Sequence, residues 1–211
     1  MTSIPAPATI RSLFVTEVYQ THFGGTGLDS LLDRLEAACR EMAAEDAAGR
    51  AWAERQGYLG YTSYDSIDDL PAHAPVFAEL KAVLDVHAAI FARILEMDLR
   101  GQALRMERSW VNVLRPGGMH SGHIHPHSVL SGTIYLAVPD GAGALQFEDP
   151  RHGLMMHTPL RSPDARTDRQ PFVALAPARG TLLLWESWLR HEVPTNRAVE
   201  ERISISFNYN I

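Results

Sequence analysis

The sequence predicts an α+β fold in which helices precede a β-sandwich or jelly roll. Three observations predict it. Between residues 28 and 95 apolar side chains recur at spacings of three and four. From Arg105 onward short β-prone runs replace them, and turns containing Gly and Pro separate those runs at near-regular intervals. Short strands at such spacing argue for a sandwich or jelly roll, and helices that come first pack outside its sheet.

The elements follow in order. After Pro5 and Pro7, the β-prone run Leu13–Tyr19 reads as a strand, ended by Gly24, Gly25 and Gly27. Thr26 or Asp29 is placed to cap a helix whose apolar stripe is Leu28, Leu31, Leu32, Leu35, Cys39 and Met42, with Gly49 or Gly57 closing the region. Cys39 lies on that stripe and reads as core rather than as a nucleophile. A second helix carries Val76, Leu80, Val83, Leu84, His87, Phe91, Ile94 and Leu95 on one face, with Pro75 in its first turn. His87 on that face reads as a hydrogen-bonded core residue, and Asp68-Asp69 as a solvated loop. The strand runs are Met106–Leu114, Val129–Val138, Ala144–Glu148, Phe172–Leu175, Thr181–Trp185 and Arg202–Tyr209. The irregular stretch Asp149 to Gln170 is long for a connection in a compact domain. It directly follows a strand, so it is expected to cover the mouth of a site, with Met155-Met156-His157 and Arg161 as substrate contacts or solvated loop. Trp110, Phe147, Trp185 and Trp188 are expected in the core or a pocket wall.

Composition narrows the function. The 211 residues fit one domain, 1–211, with a strand and outer helices over about 1–104 and the jelly-roll core over about 105–211. A net charge of −6 argues against a nucleic-acid partner. No apolar run is long enough to span a bilayer, so no membrane is expected. The start, Met1-Thr2-Ser3-Ile4-Pro5, lacks the basic and apolar regions of a secretory signal. A lone cysteine excludes an intrachain disulfide and a thiolate-rich metal site, and points to a reducing, cytoplasmic setting. A homodimer through the helical layer is compatible with these bounds.

Histidine carries the chemistry. His120, His123, His125 and His127 crowd a few residues beside the turn Pro116-Gly117-Gly118. Two imidazoles two residues apart on an extended segment point to one side, which pairs His123 with His125, whereas Pro126 breaks the ladder before His127. His191 arrives from a later strand-like segment. Three nitrogen donors with open positions left over suit an oxygen-activating iron centre. The strand from Arg202 alternates strictly: Ile203, Ile205, Phe207 and Tyr209 face one way, Arg202, Ser204, Ser206 and Asn208 the other. Arg202 and Ser204 on one polar face are suited to a carboxylate.

The order of these parts, with His-x-His-Pro-His-Ser, Phe-Glu-Asp-Pro-Arg and Arg-Ile-Ser-Ile-Ser-Phe-Asn, resembles the Fe(II)/2-oxoglutarate-dependent dioxygenases. More narrowly it resembles a small bacterial branch with a His-x-His-Pro motif. The resemblance covers roughly Trp110 to the C-terminus. It implies a double-stranded β-helix (jelly-roll, cupin-like) core with the N-terminal helices packed outside the sheet. It implies Fe(II), 2-oxoglutarate and O2 as cofactor and cosubstrates, and hydroxylation of an unidentified small-molecule or peptide substrate with release of succinate and CO2. By the same resemblance His123 and His191 match iron ligands and Arg202 the partner of the distal carboxylate of 2-oxoglutarate. Ser204 matches the hydroxyl two residues on, His120 a cosubstrate-contacting position, and Asn112 and Tyr135 pocket-lining positions. Where the family commonly has a carboxylate ligand this chain has His125. Either His125 ligates, giving a three-histidine centre, or it turns away and water, Glu148 or Asp149 completes the site. Three other readings stay open: a cupin-like three-histidine dioxygenase without 2-oxoglutarate, a non-catalytic barrel binding a metal or small acid, and histidines that only form hydrogen bonds.

Overall fold

The computed structural model describes residues 8–211, so the readings made on Met1–Pro5 and Pro7 lie outside the described residues. Two antiparallel sheets face each other. Strand β1 (Val18–His22), β2 (Gly60–Thr62), β3 (Arg105–Leu114), β5 (Leu130–Ala137), β8 (Thr181–Glu186) and β10 (Arg202–Asn210) form the larger, in the order β1-β8-β5-β10-β3-β2. Strands β4 (His120–His123), β6 (Leu145–Glu148), β7 (Phe172–Leu175) and β9 (His191–Val193) form the smaller, ordered β4-β9-β6-β7. This is the expected α+β jelly roll. Helices α1 (Asp29–Glu45), α2 (Ala47–Arg55), α3 (Leu70–His73) and α4 (Pro75–Ile94) precede all but β1 and β2 of these strands.

The larger sheet has two faces with different work. Ile203, Ile205, Phe207 and Tyr209 of β10, with Val111, Val113, Leu130, Ile134, Leu182 and Leu184, pack against Leu32, Leu35 and Cys39 of α1 and Phe77, Leu84 and Phe91 of α4. The opposite face, with Tyr135, Leu183 and Trp185, packs against Leu145, Phe147 and Val193 of the smaller sheet. Period-two alternation in β10 therefore separates a dry helix-facing side from the inter-sheet side.

Several expectations are corrected. The first strand lies at Val18–His22 rather than Leu13–Tyr19, because only those residues find a partner, β8. Leu13, Phe14 and Val15 are exposed, and Phe14 has a φ of 57°. Leu28 is the residue before α1, and neither Thr26 nor Asp29 caps it. The Asp29 carboxylate accepts from the Gly25 N–H instead, and Thr26 donates to the Phe23 carbonyl. Gly49 lies inside α2 and Gly57 (φ 67°) follows its end. Asp68 and Asp69 are engaged: Asp68 pairs with Arg108 at 2.8 Å, and the Asp69 side chain caps α3 by accepting from Ala72 N–H. Ile94 and Trp188 are exposed rather than core. Cys39 is fully buried, and burial pushes its thiol up, so it is inert packing. His87 accepts or donates a 2.8 Å bond with the Tyr19 hydroxyl, as a core histidine should. Among the described residues no helix is long and apolar enough to cross a membrane.

Candidate metal centre

His123 ends β4 and stands directly opposite His191 of β9 in the ladder. His125 lies just past the end of β4, where its N–H is tied to the Ser187 carbonyl at 3.0 Å. One ring nitrogen from each of the three lies within 4.8 Å of the others. The Nε2 atoms of His125 and His191 are 3.3 Å apart. His127 (φ 71°) departs at the turn that follows Pro126 and is exposed. Among the described residues no carboxylate belongs to this cluster. Glu148 is held by Arg190 at 2.9 Å and Asp149 by Arg151 at 2.9 Å.

Backbone carbonyls orient two of the rings. His123 Nδ1–H donates to the Ser121 carbonyl (2.7 Å) and His191 Nδ1–H to that of Leu189 (2.9 Å), leaving each Nε2 as a bare acceptor. The Trp185 ring stands edge-on to His191 at 4.7 Å, and Trp110 lies 5.8 Å from His125. Burial foremost, with the nearby His123, pushes His125 down to about 4, and burial likewise pushes His191 to about 3. Neutral imidazoles with converging lone pairs are the donor set a divalent transition metal takes.

The same cavity is lined by Asn112, His120, Tyr135, Arg202, Ser204 and Ser206 beside the three histidines. Arg202 is buried, with its Cζ 4.8 Å above the Tyr135 ring, and it makes no ion pair among the described residues. Its Nε and the Tyr135 hydroxyl are buried with no hydrogen-bond partner among the described residues. Buried polar groups are normally satisfied, and a buried cation is normally paired. The orphaned pair thus marks where an anionic ligand with oxygen acceptors fits. Asn112 donates to Ser206 Oγ at 3.2 Å. His120 is bonded through Nε2 to the Tyr58 hydroxyl at 3.0 Å, and burial first, then Arg202, hold it down to about 3.

The residues expected to hold metal and cosubstrate, His120, His123, His125, His191, Arg202, Ser204, Asn112 and Tyr135, all line this cavity. Tyr58, from the turn between α2 and β2, was not foreseen, since no local pattern links it to His120. The stretch 149–170 does not cover the cavity. It contributes no lining residue there and instead borders a separate groove with residues 11–16 and Val18. Met155-Met156-His157 and Arg161 do not line the histidine cavity.

The comparisons agree with this geometry. The model of a family described as "Putative 2OG-Fe(II) oxygenase" matches residues 108–208. EctD from S. alaskensis, solved with 2-oxoglutarate and 5-hydroxyectoine, superposes with a TM-score of 0.64 at 19% identity, over 92% of this chain and 72% of its own. A Pseudomonas putida prolyl-4-hydroxylase does so with 0.55 at 18% identity, over 92% of both chains. A 2OG-Fe(II) oxygenase-family oxidoreductase from Burkholderia pseudomallei is 25% identical, but this chain spans only 46% of its length with a TM-score of 0.39. No curated protein sequence matches the chain. Over residues 108–208, just under half of its length, the chain is similar to the 2OG-Fe(II) oxygenases, a superfamily of oxidoreductases built on the double-stranded β-helix, and solved members share its fold. Fe(II), 2-oxoglutarate and O2 are that superfamily's cofactor and cosubstrates.

Proposed function

We propose that the protein is an Fe(II)- and 2-oxoglutarate-dependent oxygenase that hydroxylates its substrate, acting as one domain over residues 1–211. The single observation that carries this is the unpaired, buried Arg202 guanidinium opening into the same cavity as the three-histidine cluster. His123, His125 and His191 are the metal ligands in this reading. Arg202 and Ser204 receive the distal carboxylate of 2-oxoglutarate, with the Tyr135 hydroxyl as a further donor. His120 and Asn112 border the cosubstrate, and Tyr58 orients His120. The single buried Cys39 fits a cytoplasmic setting.

When bound, iron and 2-oxoglutarate supply the oxidative decarboxylation to succinate and CO2 that drives oxygen insertion into a C–H bond. The chain's own work is positioning and exclusion. Two backbone carbonyls aim His123 and His191, and the Trp110 and Trp185 rings keep bulk water off the imidazoles. Three neutral ligands leave the charge of a divalent ion uncompensated by the protein, which strengthens its hold on a dianionic cosubstrate.

Anaerobic titration of Fe(II)-loaded protein with 2-oxoglutarate tests this. A weak visible charge-transfer band is expected. Arg202→Ala should keep its iron and lose affinity for 2-oxoglutarate by roughly 10- to 100-fold, as hydrogen bonds to a charged group are worth roughly 1.5–3 kcal/mol. Iron binding with no band at any 2-oxoglutarate concentration would sink the proposal in favour of a three-histidine dioxygenase that uses Arg202 on its own substrate.

A further inference from the structure

Among the described residues three buried side-chain atoms have no hydrogen-bond partner: Arg202 Nε, the Tyr135 hydroxyl and the indole Nε1 of Trp185. All three side chains line one cavity, the one that holds the histidine cluster. Arg202 and Tyr135 face a carboxylate in the reading above, whereas Trp185 so far serves only as a wall.

The chemistry of an indole leaves no choice of role. It has one nitrogen, which keeps its proton and can only donate. A buried indole N–H normally finds an acceptor. Trp185 is 2% exposed, so bulk water does not serve it. Its acceptor has to come into the cavity.

Topology sets this donor at a different end of the cavity from Arg202. Along β5, Tyr135 lies opposite Ser204 and Ser131 opposite Asn208. Trp185 of β8 is the partner of Ser131 on the other side. The two levels are four residues apart on one strand, about 13 Å at the usual rise. At the first level the Arg202 Cζ sits 4.8 Å above the Tyr135 ring. At the second the Trp185 ring stands edge-on to His191, with centroids 4.7 Å apart, and Phe147 packs against it at 5.4 Å. Orphaned donors therefore stand at both ends of one cavity, and one end adjoins the metal ligands. A ligand with acceptor oxygens at both of its ends satisfies them together, which a single carboxylate does not.

We propose that Trp185 is a cosubstrate-binding residue, its Nε1–H donating to the carboxylate of 2-oxoglutarate that adjoins the keto group. This rests on the metal- and 2-oxoglutarate-binding reading above. Arg202 and Tyr135 then hold the distal carboxylate and Trp185 the one at the metal end. The protein thereby neutralises part of the charge that three neutral imidazoles leave to the cosubstrate's own contacts.

The experiment is proton–nitrogen NMR of the full chain with 15N-labelled tryptophan, loaded with Zn(II) as a diamagnetic probe and titrated with 2-oxoglutarate. Trp185→Phe identifies the Trp185 indole signal by deleting it. That signal should move downfield as 2-oxoglutarate binds, while those of Trp52 and Trp188, which do not line the cavity, stay in place. Oxalate, which offers metal-end oxygens and no distal carboxylate, should move it the same way. A Trp185 signal that ignores 2-oxoglutarate while calorimetry records binding overturns the proposal, because the N–H then rests on the His191 ring or on a trapped water. A signal that moves with 2-oxoglutarate and not with oxalate overturns it too, by giving the donor to the distal carboxylate. The Phe variant supplies a second reading, since it keeps an aromatic ring beside His191 and removes only the donor end. It should retain its Zn(II) affinity and lose affinity for 2-oxoglutarate by about 10- to 100-fold. An unchanged 2-oxoglutarate affinity overturns the assignment. Failure of the underlying reading looks different and removes this proposal with it: the Zn(II)-loaded parent would take up no 2-oxoglutarate, and every indole signal would stand still.

Discussion

At the scale of single residues, Arg202 carries an expected trade between stability and binding. Its guanidinium is buried over Tyr135, and its Nε has no hydrogen-bond partner among the described residues. Arg202→Met should therefore stabilise the cosubstrate-free protein by roughly 1–3 kcal/mol, the penalty of a buried unsatisfied group. That is a rise of several degrees in melting temperature, at about 2–4 °C per kcal/mol for a chain of this size. The same variant should lose the stabilisation that 2-oxoglutarate gives the parent, about 2.7 kcal/mol at a ligand concentration 100 times Kd. Thermal melts with and without the keto acid check both, and a destabilised, still-responsive variant would refute the assignment. The histidines give a pH dependence. His120, His125 and His191 titrate at about 3, 4 and 3 when folded, against about 6.5 unfolded. Below pH 6.5 the unfolded chain binds more protons, so metal-free stability should fall as pH drops from 6.5 toward 4. Each differing proton contributes a slope of up to about 1.4 kcal/mol per pH unit. Urea melts of metal-free protein across that range measure it, and a flat profile would contradict the burial of these rings. His123, His125, His191, Arg202 and Ser204 were legible because period-two spacing and residue chemistry coincide in them. Tyr58 was not, since 62 residues separate it from His120 and only the fold brings them together.

At the scale of elements, the strand runs from Arg105 onward were read nearly to the residue, because each is β-prone and bounded by a turn. The errors fall where partners rather than propensity decide. Leu13, Phe14 and Val15 are as β-prone as Tyr19, yet β8 pairs only from Val18. Strand β2, Gly60–Thr62, is short and ordinary in composition, and it exists because the edge of β3 is there to pair with. Gly132 of β5 shows the same dependence on tertiary context. A Cβ there would meet Leu184 Cδ2 and the Phe207 ring at 2.5 Å, side chains of the two strands that flank it. Gly132→Ala should lower stability by roughly 1–3 kcal/mol through overpacking. Chemical denaturation checks this, and an unchanged midpoint would mean that the two side chains give way freely.

At the scale of the whole molecule, the helical layer and the site lie on opposite faces of one sheet, so core and chemistry are reached through the same strands. Helices α1 and α4 never line the histidine cavity. Exposed substitutions on α1, such as Glu41→Ala, should leave metal and 2-oxoglutarate affinity within about twofold, while stability changes stay within about 0.5 kcal/mol. Calorimetric titration is the check, and a large loss of affinity would reveal coupling through the sheet. Strand β10 makes this division of labour depend on parity. Odd-numbered positions from Ile203 to Tyr209 belong to the helix side, even-numbered ones from Arg202 to Asn208 to the other. Inserting one residue after Arg202 would exchange the two sets, setting isoleucines among the imidazoles and serines against the helices, whereas inserting two would preserve them. Lengthening or shortening of this strand is therefore tolerable only in pairs, and its reading frame is a constraint separate from the identity of any residue within it.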